Sequence, residues 1–188
     1  MAQEVLTMME DTVNRLKKTI MTKRFVNCYS KAFSPENKQE LDQSLSTLKE
    51  EYKNIYVDID IQGFKDCEDE EQEANALLAL INRELTGKGP ATSPIQAISI
   101  ANAIHKWSNT LDSQALLVFY FFHDLYSENE KNVLRSLRKA LRDRDEISSY
   151  LGILLVSNRK ISRWELFPES NLDDRHLTLF EFDGLEVN

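Results

Sequence analysis

The sequence predicts an α/β fold, a three-layer sandwich in which a mostly parallel five-stranded sheet lies between helices. Two observations support this prediction. Ala115–Phe122 and Leu151–Val156 are continuously apolar, as expected of central strands that are covered on both faces. Three further runs rich in β-branched and aromatic residues alternate with segments of helical periodicity, and strands that alternate with helices pair in parallel.

The first segment predicts an amphipathic helix from Gln3 to about Thr22, because apolar residues recur in it at spacings of three and four. We therefore divide the chain into an N-terminal amphipathic helix, residues 1–22, and a single α/β domain, residues 23–188. Two roles of this helix remain open: either it packs on the domain's own core, or it docks to a partner protein.

The remaining elements follow from composition and periodicity. Ser34 before Pro35 and Glu36 is a favourable helix start, with a capping oxygen, a proline in the first turn and an acid near the positive end of the helix dipole. The predicted strands are Arg24–Ser30, Asn54–Ile61, Ala115–Phe122, Leu151–Val156 and His176–Phe182. The predicted helices are Ser34–Tyr52, Glu71–Leu85, Ile95–Ser108 and a segment from about Glu128 through Leu141.

Bulk properties narrow the classes of function. The net charge is −8, with 31 acidic and 23 basic residues, which argues against sequence-independent nucleic-acid binding. The charge is uneven, because Cys67–Glu73 is acidic and Lys131–Arg144 is basic. We find no long apolar stretch and no signal-peptide pattern, and two cysteines are too few for a disulfide framework. We expect a cytoplasmic protein with free thiols.

Polar residues stand where the predicted strands end, which is the edge at which parallel sheets gather their chemistry. They are Asp58, Asp60, His123, Asp124 and Asn158. The run Leu116–Asp124 resembles the Walker B strand of P-loop NTPases, and Leu151–Asn158 resembles the following strand, whose last polar residue is a sensor in AAA-type and STAND-type ATPases. Ile55–Asp60 resembles the strand after the P-loop helix, and His176–Phe182 resembles the last strand of that core. The resemblance covers about Arg24 to Leu185 and implies a P-loop NTPase-like fold.

The departures from that family concern its phosphate chemistry. The family's glycine-rich loop wraps phosphates with backbone N–H groups and a lysine. The corresponding connection here, Cys28–Asn37, has no glycine, and it places Pro35 and Glu36 where the phosphates would lie. Leu125 follows Asp124 in place of a catalytic Glu, and the chain ends at Asn188, where the family's helical lid would begin. The resemblance therefore implies remnants of a nucleotide site at His123, Asp124, Asn158, Asp58 and Asp60, and no catalytic residue.

Other chemistry is less favoured. Asp58, Asp60 and Asp124 could form a Mg²⁺-binding cluster, but helix capping and loop solvation explain these residues better, and we predict no metal site. His123 is better explained by a structural role than by catalysis. A basic and aromatic group follows the fourth strand, and arginine and tryptophan are common anchors of protein interfaces. This candidate interface consists of Arg159, Lys160, Arg163, Trp164 and Phe167.

The sequence thus predicts a catalytically inactive NTPase-like module that acts through protein–protein contacts, in a regulatory or adaptor role. We expect no cofactor, a protein partner, no membrane contact and possible oligomers, and we expect nucleic-acid binding to be unfavourable. Two alternatives stay open. One is a divergent ATPase that completes its Mg-ATP site with a partner, and the other is a nucleic-acid accessory protein.

Overall fold

The computed structural model describes residues 2–57, 64, 66–86, 97–122, 133, 134, 137, 147–161 and 177–182. Within these ranges the helices are α1 (Ala2–Lys23), α2 (Lys38–Leu45), α3 (Glu70–Thr86) and α4 (Ile100–Ser108), with a 3₁₀ turn at Ser46–Glu50. The strands are β1 (Phe25–Tyr29), β2 (Lys53–Val57), β3 (Ala115–Phe121), β4 (Leu151–Ser157) and β5 (Thr178–Glu181). No described helix is long and apolar enough to cross a bilayer.

The strands form a parallel five-stranded sheet in the order β2-β3-β4-β1-β5. The two continuously apolar strands, β3 and β4, lie next to each other and are buried along their whole length. This placement explains their composition, because strands with a helical layer on both faces have no polar side. The predicted fold class is confirmed.

Alternate side chains of the strands supply two separate cores, one on each face of the sheet. One face packs against α3 and α4. The opposite face packs against α1, α2 and the 3₁₀ turn. Val133, Leu134 and Leu137, from the predicted helix after β3, are helical and buried on the α3–α4 face.

The second half of α1 packs on the domain's own sheet. Val13, Leu16 and Ile20 are buried in the core that α1 shares with α2, as the helical spacing of these residues predicts. Gly152 allows this close approach, since a Cβ there would lie 3.0 Å from Leu116 Cδ1 and 3.3 Å from Ile20 Cγ2. The division of the chain at residue 22 remains a prediction.

Two helix starts differ from the prediction. The helix predicted from Ser34 begins at Lys38, because Ser34 and Asn37 bond to each other in a separate turn that precedes it. The helix predicted from Ile95 begins at Ile100 within the described range, because the side chain of Ser99 accepts a hydrogen bond from the Asn102 amide and caps it there. Ile98 therefore precedes the helix and is 74% exposed.

Candidate functional site

The carboxyl edge of the sheet brings together the ends of β1, β3 and β4. The Ser30 amide donates to the Ser157 carbonyl at 3.1 Å, which ties the end of β1 to the end of β4. The Asn158 side-chain amide donates to the Phe122 carbonyl at 2.6 Å, which ties β4 to the end of β3. These contacts fix the ends of β1 and β3 relative to the end of β4.

Asn158 therefore lies at the carboxyl edge of the sheet, where its side chain links β4 to the end of β3. Its Nδ2 atom is engaged by the main chain of the neighbouring strand. Its Oδ1 atom is buried and has no hydrogen-bond donor among the residues that the structure describes. The other predicted nucleotide-site residues, Asp58, Asp60, His123 and Asp124, lie outside the described residues.

The connection from β1 to α2 is a compact turn in which most backbone amides bond within the protein. The Phe33 amide donates to the Ser30 carbonyl at 3.1 Å, and the Ala32 amide donates to the Ser30 hydroxyl at 3.3 Å. Phe33 is buried and packs on Phe182, with 5.4 Å between the ring centroids. This half of the turn is therefore held against the sheet by both hydrogen bonds and packing.

The second half of the turn is closed by a reciprocal pair of side-chain contacts. Asn37 Oδ1 accepts from the Ser34 amide at 2.8 Å, and Ser34 Oγ accepts from the Asn37 amide at 3.4 Å. Asn37 Nδ2 donates to the Ala32 carbonyl at 2.5 Å, and the Lys38 amide donates to the Pro35 carbonyl at 3.4 Å. Asn and Ser side chains commonly close turns in this way, because they reach nearby backbone groups.

The turn carries three charged side chains, those of Lys31, Glu36 and Lys38. Glu36 is exposed, and hydrogen bonds from the Ser34 side chain and from its own backbone amide hold the pKa of its carboxyl below the usual value. Glu36 therefore carries a negative charge at neutral pH. The Lys38 ammonium lies 4.8 Å from the centroid of the Tyr120 ring, a cation–π contact. Lys31 is exposed.

A buried polar network, which the sequence analysis missed, joins β1 to the segment after β4. Asn27 is fully buried, and its Nδ2 donates to the Leu155 carbonyl at 3.1 Å and to Ser157 Oγ at 2.8 Å. Its Oδ1 accepts from the Ile161 amide at 2.9 Å. One feature of the sequence indicates this network. Asn27 is a single amide side chain inside the apolar run Phe25–Cys28, and a buried amide requires hydrogen-bond partners.

This network positions the described part of the candidate interface. Ser157 Oγ donates to the Arg159 carbonyl at 2.6 Å, so the chain from Ser157 to Ile161 is held at several points. Arg159 is half-buried and Lys160 is exposed. Arg163, Trp164 and Phe167 lie outside the described residues.

The described residues offer no ready metal centre. Within the described ranges, His, Cys, Asp and Glu side chains do not gather in groups of three or more that could hold an ion. The predicted Asp58, Asp60 and Asp124 cluster falls outside those ranges.

The cysteines are poor nucleophiles. Cys28 is buried, and this burial raises the pKa of its thiol far above the ordinary value. Cys67 is half-buried, and its thiol pKa is raised by burial and by the neighbouring carboxylates of Glu73, Asp66 and Asp69. Since the thiolate is the reactive form, both environments disfavour covalent catalysis.

No protein-family model and no curated protein matches this sequence. Solved structures do match in fold, and among them are three structures of Drosophila ORC with DNA and Cdc6, each with a TM-score of 0.53. The chain is 8% identical to one in the complex with poly(dA/dT) DNA, covering 96% of our chain and 30% of the other. For the GC-rich DNA complex the identity is 9%, with coverages of 97% and 30%. For the AT-rich DNA complex it is 15%, with coverages of 98% and 58%.

These similarities concern the fold. The chain spans 30% of the first two matched chains and 58% of the third, at identities of 15% or less. Together with the parallel sheet and its two helical layers, they establish an α/β fold similar to that of chains in these Drosophila ORC and Cdc6 structures.

Proposed function

We propose that this chain is a catalytically inactive NTPase-like module that works through protein–protein contacts within a larger assembly. The observation that carries the proposal is the turn between β1 and α2. In a phosphate-binding loop, several backbone N–H groups point at the ligand. Here the amides of Ser30, Ala32, Phe33, Ser34, Asn37 and Lys38 donate to groups of the protein itself.

The electrostatics of the turn support the same proposal. Pro35 has no N–H group to offer, and the Glu36 carboxylate would repel a phosphate. A P-loop lysine acts as a point charge on the phosphates, whereas the Lys38 ammonium lies over the Tyr120 ring. The absence of a Glu after Asp124 is in keeping with a lack of hydrolysis.

The proposed mode of action follows from the segment after β4. Its backbone is fixed by Asn27 and Ser157, so Arg159 and Lys160 lie on a pre-ordered segment. Pre-ordering lowers the entropy cost of binding a partner. The similar structures are of ORC with Cdc6, which favours a place for this chain in a multi-subunit complex.

A direct test uses size-exclusion chromatography. The mass of the purified protein, measured by light scattering, is compared with the size of the species in which the protein elutes from native lysate. We expect a larger species in lysate that persists without nucleotide and is lost in Lys160→Glu. Lys31→Glu, an equal charge change at another exposed lysine, serves as the control. Elution at the mass of the chain alone in both samples would contradict the proposal. So would ATP turnover that disappears in Asp124→Asn, which would instead support the divergent-ATPase alternative.

A nucleic-acid accessory role is the second candidate, and the similar structures contain DNA. Its predicted contacts are Lys131–Arg144 and Arg159–Arg163. Such binding should weaken steeply as salt rises, because it releases counterions from the phosphates. Absent or salt-insensitive DNA binding in a titration would eliminate this candidate.

A further inference from the structure

The second half of α1 carries a concentration of positive charge that the overall composition conceals. Residues 12–24 contain five basic and no acidic residues. The rest of the chain holds the other 18 basic residues and all 31 acidic ones. This segment therefore carries +5 while the remainder carries −13, and a surface of one sign attracts partners of the opposite sign.

The packing of α1 turns much of this charge to solvent. Val13, Leu16 and Ile20 occupy the buried side of the helix. Arg15 and Lys18 are exposed, as is Lys23 at its end. Among the described residues, neither Lys18 nor Lys23 has a carboxylate partner at ion-pair distance, whereas Lys17 pairs with Glu51 at 2.7 Å.

An apolar contact point and a cavity lie at the C-terminal end of this face. Met21 is 59% exposed. A cavity of about 270 Å³ opens beside it, and Tyr150, which is 41% exposed, lies in the chain between Ser149 and Leu151, which both line the cavity. The cavity is lined by Ile20, Met21, Arg24, Tyr52, Gln114, Ser149, Leu151 and Gly152.

This surface lies away from the candidate functional site. Lys23 precedes β1, and Gln114 and Leu151 stand at the starts of β3 and β4. The cavity therefore opens at the amino edge of the parallel sheet, opposite the edge where Asn158 and the turn before α2 lie. It is independent of whether the carboxyl edge binds nucleotide.

We propose that Arg15, Lys18, Met21, Lys23 and Tyr150, together with the cavity, form a docking surface for an acidic protein segment that carries an apolar side chain. Charge complementarity supplies steering and register. Methionine and tyrosine supply adaptable apolar contact. The cavity is smaller than the roughly 300–1,000 Å³ typical of small-molecule sites, so it suits a single side chain.

A nucleic acid is the less favoured occupant. Contacts to a phosphate backbone depend on charge, and an exposed methionine beside a cavity adds little to them. The two occupants therefore differ in a measurable way. A protein segment requires both Lys18 and Met21, whereas a phosphate backbone requires Lys18 alone.

The test is selection of a random dodecapeptide phage library on the full chain, followed by fluorescence anisotropy with the most enriched peptide. We expect enriched peptides to combine Asp or Glu with an apolar residue. Lys18→Glu should weaken the Kd by about tenfold and Met21→Ser by several-fold, with affinity falling as salt rises. Lys31→Glu and Ile98→Ser are matched controls at exposed positions elsewhere, and each should stay within about twofold.

Three results would overturn the proposal. The first is that no peptide enriches. The second is that the enriched peptide binds Lys18→Glu and Met21→Ser as tightly as it binds the unmodified chain. The third is that a short labelled DNA duplex binds more tightly than the peptide and that its affinity depends on Lys18 but not on Met21, which would identify a nucleic-acid surface. Circular dichroism of each variant verifies its fold. None of these results bears on nucleotide binding at the opposite edge.

Discussion

At the scale of single residues, Arg24 shows how a locally unfavourable conformation is stabilised by its neighbours. Its φ is 63°, in the left-handed region that usually takes glycine after a helix. Its amide still donates to the Ile20 carbonyl at 2.8 Å, and its guanidinium donates to the carbonyls of Ile147, Ser148 and Leu151. The side chain thus joins the end of α1 to the segment that enters β4.

Arg24→Ala should lower the free energy of unfolding by about 2–4 kcal/mol, because the carbonyls lose charged donors, while the left-handed strain is the same for alanine as for arginine. Arg24→Gly loses the same donors without that strain, and we expect it to be about 1 kcal/mol more stable than Arg24→Ala. Urea unfolding measures both variants, with the exposed Lys23→Ala as the control. Equal stability of Arg24→Ala and the unmodified chain would refute this role.

The two thiols should differ in reactivity and in its pH dependence. Because burial raises the pKa of Cys28, we expect it to react with Ellman's reagent only after unfolding. Cys67 should react in the native state, with a rate that rises with pH and reaches its midpoint above the ordinary thiol value of about 8.5, because its raised pKa delays formation of the thiolate. Cys67→Ser should leave no native reaction. Two equally fast native thiols would disagree with this structure.

At the scale of elements, the turn between β1 and α2 shows why sequence patterns misplace a helix start. Ser34-Pro35-Glu36 has the composition of a helix N-terminus, yet the Ser34 hydroxyl accepts from Asn37 and the helix begins at Lys38. α2 has no side-chain cap, and a local pattern cannot indicate that Ser34 will bond to Asn37 in a separate turn instead. Ser99, by contrast, caps α4 directly.

Removing the Asn37 side chain should loosen this turn as a unit. Asn37→Ala deletes the acceptor of the Ser34 amide and the donor to the Ala32 carbonyl. We expect a loss of about 1–2 kcal/mol in stability. Amide hydrogen exchange should become faster at Ser34. Asn109→Ala, at an exposed position after α4, should change neither. Unchanged exchange at Ser34 in Asn37→Ala would show that these contacts do not hold the turn.

At the scale of the whole molecule, the sequence alone predicts the layers of the fold but not the contacts within the candidate site. The uninterrupted apolar runs of β3 and β4 predict central strands, because burial on both faces leaves them no polar side. The Asn27 network could not be located in advance, since its partners Leu155, Ser157 and Ile161 are more than a hundred residues away in sequence. Long-range pairing is set by the topology of the sheet rather than by local pattern.

The two edges of the sheet give the molecule its proposed division of roles. The carboxyl edge has an internally bonded turn that carries the acidic group of Glu36. The amino edge has a basic helix face beside a cavity. Both features favour contacts with proteins over chemistry on a bound nucleotide.

The most direct test of this account is an amide-resolved NMR titration of the full chain with Mg-ATP. Because the amides of Ser30, Phe33, Ser34 and Asn37 are engaged within the protein, we predict no saturable shift of their resonances up to millimolar nucleotide. Saturable shifts of these resonances with a micromolar Kd would mean that the turn opens to cradle phosphate, and would contradict the proposal of an inactive module.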